Sequence, residues 1–315
     1  MSRLSLVATA GLLSSVLSSQ PVTLQPQRIG HLNFRNGATR VAAAASDAER
    51  LAVAGVGLDG RSNIRIFDED LKVTSEIQAA YVVRGLGLAG QRVLVARRIS
   101  GGATVCAYLA GDSNEEGCLS LRELPSAMGQ CAGRIIAATS GALVELSFPT
   151  GEIRPIAETL EMDESPALDA VGRERVFRLS STSAKGAAYD CRTGARQPIH
   201  LHSSELSRLN ENRHHQALLI WRLLPGPRDE LWAAPARYSV FQGLPLLRFG
   251  SAQMFVGQTV LAIPQEPTLV KQADRPGGKG NPTGHLVVRF VANVGNRVVV
   301  ADFENLRIVN YELEK

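Results

Sequence analysis

The sequence predicts an all-β fold in which one short unit of antiparallel strands recurs around a ring. Three observations carry that expectation. The stretch GNRVVVADFENLRIVNYELE (295–314) reads as a turn, a strand from Arg297 to Ala301, a polar turn over 302–305 and a second strand from Leu306 to Tyr311. Weaker copies of this hairpin run through the whole chain, and they return at a nearly constant interval. Strand, turn and strand at short spacing, rich in β-branched residues, is the pattern of sheets rather than helices.

Taken in order, the copies begin with ERLAVAG (49–55), followed after a Gly/Asp loop by NIRIFD (63–68). Next come QRVLVAR from Gln91, GRIIAAT from Gly133, ERVFRL from Glu174 and DELWAA from Asp229. The last charged or polar residue before each strand falls at positions 50, 92, 134, 175, 230 and 297. The steps between them are 42, 42, 41, 55 and 67 residues. Three steps in the low forties match one four-stranded propeller blade per unit, and the two longer ones carry insertions.

Each of these strands follows another built from small or branched apolar residues: VAAAA (41–45), YVVRGLGL (81–88) and HLVVRFVANV (285–294) are examples. Small side chains suit the crowded innermost strand of a blade. The expected fold is therefore a β-propeller of six four-stranded blades, closed so that only short edges remain. A seventh blade within 241–284 is the alternative. Residues 22–34, VTLQPQRIGHLNF, are extended in character and are expected to pair onto the last blade beside Leu306–Tyr311, joining the two ends of the chain.

The final unit resembles the NHL type of repeat. The resemblance rests on Gly295, on VVVAD (298–302), and on Asn305, Arg307, Ile308 and Tyr311; residues 49–68 share it in part, and elsewhere only the period does. Such propellers are mostly six-bladed. The family includes binding platforms, some of them for RNA, and a few lyases and lactonase-like hydrolases, so the resemblance implies a fold more than an activity.

At 315 residues and 44% hydrophobic content, one propeller accounts for nearly the whole chain. Aromatic residues make up only 5%, so the contacts between blades fall to Val, Leu, Ile and Ala. The net charge of +4 is ordinary solubilising charge. Nucleic acid is not an expected partner, because no Lys/Arg run is interleaved with stacking aromatics.

Residues 1–20 have the shape of a secretory signal, which leaves 21–315 as a single propeller domain in a secreted or periplasmic protein. Arg3 precedes an apolar stretch from Leu4 to Leu17, and Val16 and Ser18 suit the −3 and −1 sites of a cut after Ser18. That stretch is too short and too Ser-rich for a membrane span. Four cysteines allow three pairings. Cys106 and Cys118 flank a short polar loop, as facing strands of one hairpin do, and Cys131 with Cys191 would join neighbouring blades. An even count behind a signal favours disulfides over free thiols or a zinc site, for which no C-x₂-C pair exists.

Of six histidines, His200, His202, His214, His215 and His285 fall in the connections before the last two units. Imidazoles in such groups ligate zinc, copper or iron, so a divalent metal is the one cofactor the sequence admits, and no compact signature such as H-E-x-x-H supports it. Surface loops carry the same residues. The acidic run EMDES (161–165) lacks the spacing of a calcium loop, and RPGGKGNPTG (275–284) lacks the order of a phosphate-binding loop.

Counting eight residues back from each strand marker gives Ala42, Arg84, Ser126, Ala167, Arg222 and Arg289. Inner strands line the channel of a propeller, and three guanidiniums there repel one another unless carboxylates or a ligand join them. Either each Arg pairs between blades, or Arg84, Arg222 and Arg289 form an anion-binding channel mouth. Two functions follow. One is a binding module for a protein partner or a small anionic ligand, with no chemistry of its own. The other is a metal-assisted hydrolase or lyase with a histidine site on one face.

Overall fold

The computed structural model describes residues 21–34, 37, 40–112, 114–148, 150–159, 167–204, 206–207, 218–226, 230–236, 243–250, 254–262, 288–302 and 307–313. The signal-like residues 1–20 lie outside them.

Every numbered element is a β-strand. Two short ones come first, β1 (Val22–Leu24) and β2 (Pro26–His31). Blade 1 is β3 (Arg40–Ser46), β4 (Leu51–Val56), β5 (Ser62–Phe67) and β6 (Val73–Ala79). Blade 2 is β7 (Gly85–Ala89), β8 (Arg92–Ile99), β9 (Gly102–Leu109) and β10 (Glu115–Leu121). Blade 3 is β11 (Ala127–Cys131), β12 (Arg134–Ala138), β13 (Ala142–Ser147) and β14 (Glu152–Glu158). Blade 4 is β15 (Ala167–Val171), β16 (Arg175–Ser180), β17 (Lys185–Asp190) and β18 (Arg196–His200). Blade 5 is β19 (Ile220–Pro225), β20 (Leu231–Pro235), β21 (Leu244–Phe249) and β22 (Phe255–Leu261). Blade 6 is β23 (Val288–Val294), β24 (Arg297–Asp302) and β25 (Arg307–Glu312), completed on its outer edge by β2.

The protein is thus a six-bladed propeller. Part of the region open to a seventh blade, 244–261, supplies the third and fourth strands of blade 5. The ring closes where expected: β2 runs antiparallel to β25, from Pro26 opposite Tyr311 to His31 opposite Arg307. The segment before it does more than predicted. β1 pairs in parallel with β22, making blade 5 five-stranded, so residues 22–31 strap two blades together.

Alternation of side chains explains why the second strands read as unbroken apolar runs. In β4, Ala52 and Ala54 enter the core shared with blade 2, while Leu51 and Val53 enter the core shared with blade 6. In β24, Val298 and Val300 face blade 5, and Val299 and Ala301 face blade 1. A strand buried on both faces has no polar side to show. Six apolar clusters result, one at each seam between blades. Inner strands need small residues because they converge: a Cβ on Gly87 of β7 would lie 2.7 Å from the Cβ of Met128 on β11.

Both disulfides form as the spacing suggests. Cys106 and Cys118 are directly opposite on β9 and β10, with Cα atoms 4.1 Å apart. Cys131, ending β11, joins Cys191 just past β17, so this bridge ties blade 3 to blade 4. Loop-closure entropy for separations of 12 and 60 residues corresponds to roughly 3 and 4 kcal/mol of stabilisation.

Candidate functional site: the central cavity

The inner strands β3, β7, β11, β15, β19 and β23 enclose a central cavity of about 1750 Å³. It opens at the end where the turns between first and second strands lie, with Asp47, Gly90, Gly133, Arg173, Gly226 and Gly295 on its rim. Those turns interlock: Ala132 N–H donates to Arg173 O at 2.7 Å, and Arg50 Nη2 donates to Gly90 O.

Charges at the rim are largely paired. Arg50 meets Asp47 at 2.6 Å, Arg192 meets Glu174 at 2.9 Å, and Arg248 meets Glu230 at 3.1 Å. Glu230 also accepts from Trp232 Nε1 at 2.7 Å. In the wall, Asp169 of β15 is gripped by Arg178 of β16 through two bonds of 2.9 and 3.0 Å. Arg178 continues across the seam, donating to Thr139 O at 2.7 Å and Ser140 O at 2.8 Å in blade 3. Ser126 Oγ donates to the same carboxylate from blade 3. The two side chains are 2% and 0% exposed, a fully satisfied buried ion pair.

Arg222 of β19 has no such arrangement. Its guanidinium sits 4.5 Å from the centre of the Phe290 ring on β23 and lines the cavity. Its Nε is shielded from solvent and has no hydrogen-bond partner among the described residues. Among the described residues no carboxylate pairs with it. Burial pulls its pKa down to about 10, which still leaves it cationic at neutral pH. Arg84 is exposed, lines the same cavity and likewise has no carboxylate partner among the described residues; its N–H donates to Ala96 O at 2.8 Å. Arg289 is on β23, but its side chain lies outside the described residues.

Backbone register separates these arginines. β3, β19 and β23 each carry a bulge, and the extra residues are Ala42, Trp221 and Arg289. In that frame Arg222, which pairs with Ala234, is the counterpart of Phe290 and Ala43 rather than of Arg289. From bulge to strand marker there are nine residues in blade 5 (221 to 230) against eight in blade 6 (289 to 297), so the sequence offset slips by one. A slip of one turns a strand residue to the other face.

The two candidate histidines among the described residues are not in the wall of this cavity. His200 ends β18, the outermost strand of blade 4, opposite Lys185, and its ring centre is 3.5 Å from that of exposed His202. Burial first, then the neighbouring His202 and Lys185, holds the pKa of His200 below its usual value. His214, His215, His285, the run 161–165 and the loop 275–284 lie outside the described residues. Among the described residues the one three-residue set with metal-ligand spacing is Cys106, Glu115 and Cys118, whose sulfurs are already joined to each other.

Sequence reasoning passed over Asp169 and Arg178, although a signal existed. Three residues past each strand marker stand Val53, Val95, Ala137, Arg178, Ala233 and Val300, and the single charge in that apolar column marks the pair. The Phe290 platform gave no comparable signal.

No family model matches the chain, and no curated protein matches it in sequence. Among solved structures, U3-55K is similar over 92% of this chain and 100% of its own, with a TM-score of 0.57 at 8% identity. The RRP9 WD40 repeats match over 91% and 97%, with a TM-score of 0.56 at 8% identity. A structural genomics protein of unknown function from Bacteroides thetaiotaomicron matches over 94% and 75%, with a TM-score of 0.53 at 12% identity. The likeness is one of fold. No helix among the described residues is long and apolar enough to cross a membrane.

Proposed function

We propose that this chain is an exported binding propeller of the NHL-like type, and that its central cavity takes a small anionic ligand. The observation that carries the reading is Arg222: a cation set into the cavity wall whose shielded Nε, among the described residues, no group satisfies and no carboxylate pairs with. A half-buried charge without a counter-ion is costly, and an anion in the cavity removes that cost through charge-assisted bonds. The Phe290 ring backs the guanidinium at 4.5 Å, which restricts its freedom before a ligand arrives. Two disulfides fit a compartment outside the reducing cytosol. The fold is a common platform for binding, which agrees with this reading without selecting it.

Thermal shift with inorganic phosphate, sulfate and mono-, di- and tricarboxylates, on wild type and on Arg222→Met, tests the proposal. At least one anion is expected to raise the Tm of wild type and leave the variant unmoved, with a loss of roughly 2–5 kcal/mol of binding. Arg222→Lys is expected to recover part of it, since an ammonium lacks the fork. Equal anion responses in wild type and Arg222→Met would overturn the reading.

A further inference from the structure

The end of blade 2 away from the β7–β8 turn carries a separate feature. β8 and β9 are eight residues each, the longest strands described, whereas the inner strand β7 has five. The β7–β8 ladder ends at Gly85 opposite Ala96, so Arg97, Arg98 and Ile99 continue past it, paired with β9 alone. This overhang borders a cavity of about 560 Å³ that Tyr81, Arg84 and Leu124 also line. That volume is in the range of small-molecule sites.

Its chemistry is one-sided. Three arginines share the cavity, and among the described residues none of them has a carboxylate partner. Arg97 is half-buried, with its Nε shielded and without a hydrogen-bond partner among the described residues, and its guanidinium lies 4.5 Å from the centre of the Tyr81 ring. The ring is fixed by a chain of hydroxyls: Tyr81 and Tyr108 share a 2.9 Å hydrogen bond, and Tyr108 donates to Glu115 at 3.2 Å. Glu115, the neighbouring carboxylate, is thereby engaged. Burial pushes the Tyr81 phenol above its usual pKa, so the ring stays neutral beneath the cation. Ile99 and Leu124 supply an apolar wall, and Ile99 is 39% exposed.

We propose that this notch is a second site, for a carboxylate carried on an aromatic or branched aliphatic body. Arg97, packed on the Tyr81 ring, supplies a guanidinium fork for the carboxylate, and Arg84 and Arg98 add positive field around it. Ile99 and Leu124 cover the body. The site stands apart from Arg222, with Arg84 bordering both cavities. One carboxylate chemistry has two sources, a free small acid or the C-terminus of a peptide.

Calorimetry with N-acetylphenylalanine, its uncharged amide, and a ten-residue peptide ending in Phe with a free carboxylate tests this. Wild type is expected to prefer the acid over the amide by at least about tenfold, the value of one charge-assisted contact. Arg97→Met, made in the Arg222→Met background so that the central cavity contributes no anion binding, is expected to abolish that preference. Tighter binding of the peptide than of the free acid assigns the source to a chain terminus, and equal binding assigns it to a small molecule. Failure of wild type to bind any probe, no preference for acid over amide, or an unchanged preference in Arg97→Met overturns the proposal. Should Arg97→Met fail to fold, Arg98→Met serves, with a drop of at least threefold in affinity for the acid expected and no drop overturning the site.

Discussion

The seam between blades 3 and 4 and the seam between blades 5 and 6 each set an arginine from near the axis between two blades, with opposite outcomes. Arg178 finds a bidentate carboxylate in Asp169 and two backbone carbonyls across the seam, and the side chains of the pair are almost wholly shielded from solvent. Arg222 finds an aromatic face and no anion among the described residues. The same seam at blades 3 and 4 carries the Cys131–Cys191 bridge, while blades 5 and 6 are held by the strap of β1 and β2, by Tyr311 Oη donating to Ala262 O at 2.8 Å, and by Asn293 Nδ2 donating to Pro225 O at 2.6 Å. A ring has to be closed at every seam, but not equally. The difference teaches that an arginine set into a seam is structural when its charge is answered within the fold, and becomes a candidate for ligand when it is not.

The largest effect expected is at the answered arginine. Arg178→Ala leaves Asp169 buried without its counter-charge and is expected to destabilise by about 3–5 kcal/mol in urea unfolding. The double variant Arg178→Met with Asp169→Leu is expected to recover most of that loss, because the cost comes from the stranded charge. A loss below 1 kcal/mol in the single variant would place the two arginines in one class and break the comparison. Slightly smaller, opening Cys131–Cys191 with serines is expected to cost roughly 4 kcal/mol, against roughly 3 for Cys106–Cys118 within blade 2. Reversal of that order would show that the bridge between blades is not what sets the firm seam apart.

Arg222→Met is expected to move stability the other way. Removing a cation that no carboxylate among the described residues answers is expected to be neutral or to stabilise by about 1–2 kcal/mol, while the anion response disappears. A structural arginine loses stability and keeps binding, so the paired measurement sorts the two seams directly.

How far the sequence allowed this to be foreseen differs between fold and site. Second strands such as VVVA in β24 and LAVA in β4 are buried on both faces, so their apolar runs stand out and their spacing gives the blades. Cys106 and Cys118 flank a hairpin, and their facing positions follow from it. The arginine set was harder, because its logic depends on a register that one extra residue between Trp221 and Glu230 shifts by one. A bulge leaves the composition of a strand unchanged, so no period count detects it. The Arg222–Phe290 contact joins residues from different blades and becomes visible only once the ring is closed.

The smallest effect belongs to a third seam, between blades 6 and 1, where the charges are answered but in the open. Arg297 Nη1 reaches Asp70 at 2.8 Å and also the carbonyl of Glu69, and the hydrogen bond from Arg297 holds the Asp70 carboxyl below its ordinary pKa. A carboxylate whose pKa is depressed on folding stabilises the fold fully above its unfolded value, near 3.8, and loses that contribution as pH falls through the folded value. Above about pH 5 the pair is therefore constant, and its loss is confined to acid. Solvent screens it, so Asp70→Asn is expected to lower Tm by only about 1 °C at pH 7. The difference should shrink further in 1 M salt and vanish once both proteins are taken well below the folded pKa. A drop at pH 7 as large as that of Arg178→Ala would mean that exposure does not weaken the bond, and that burial is not what separates the seams.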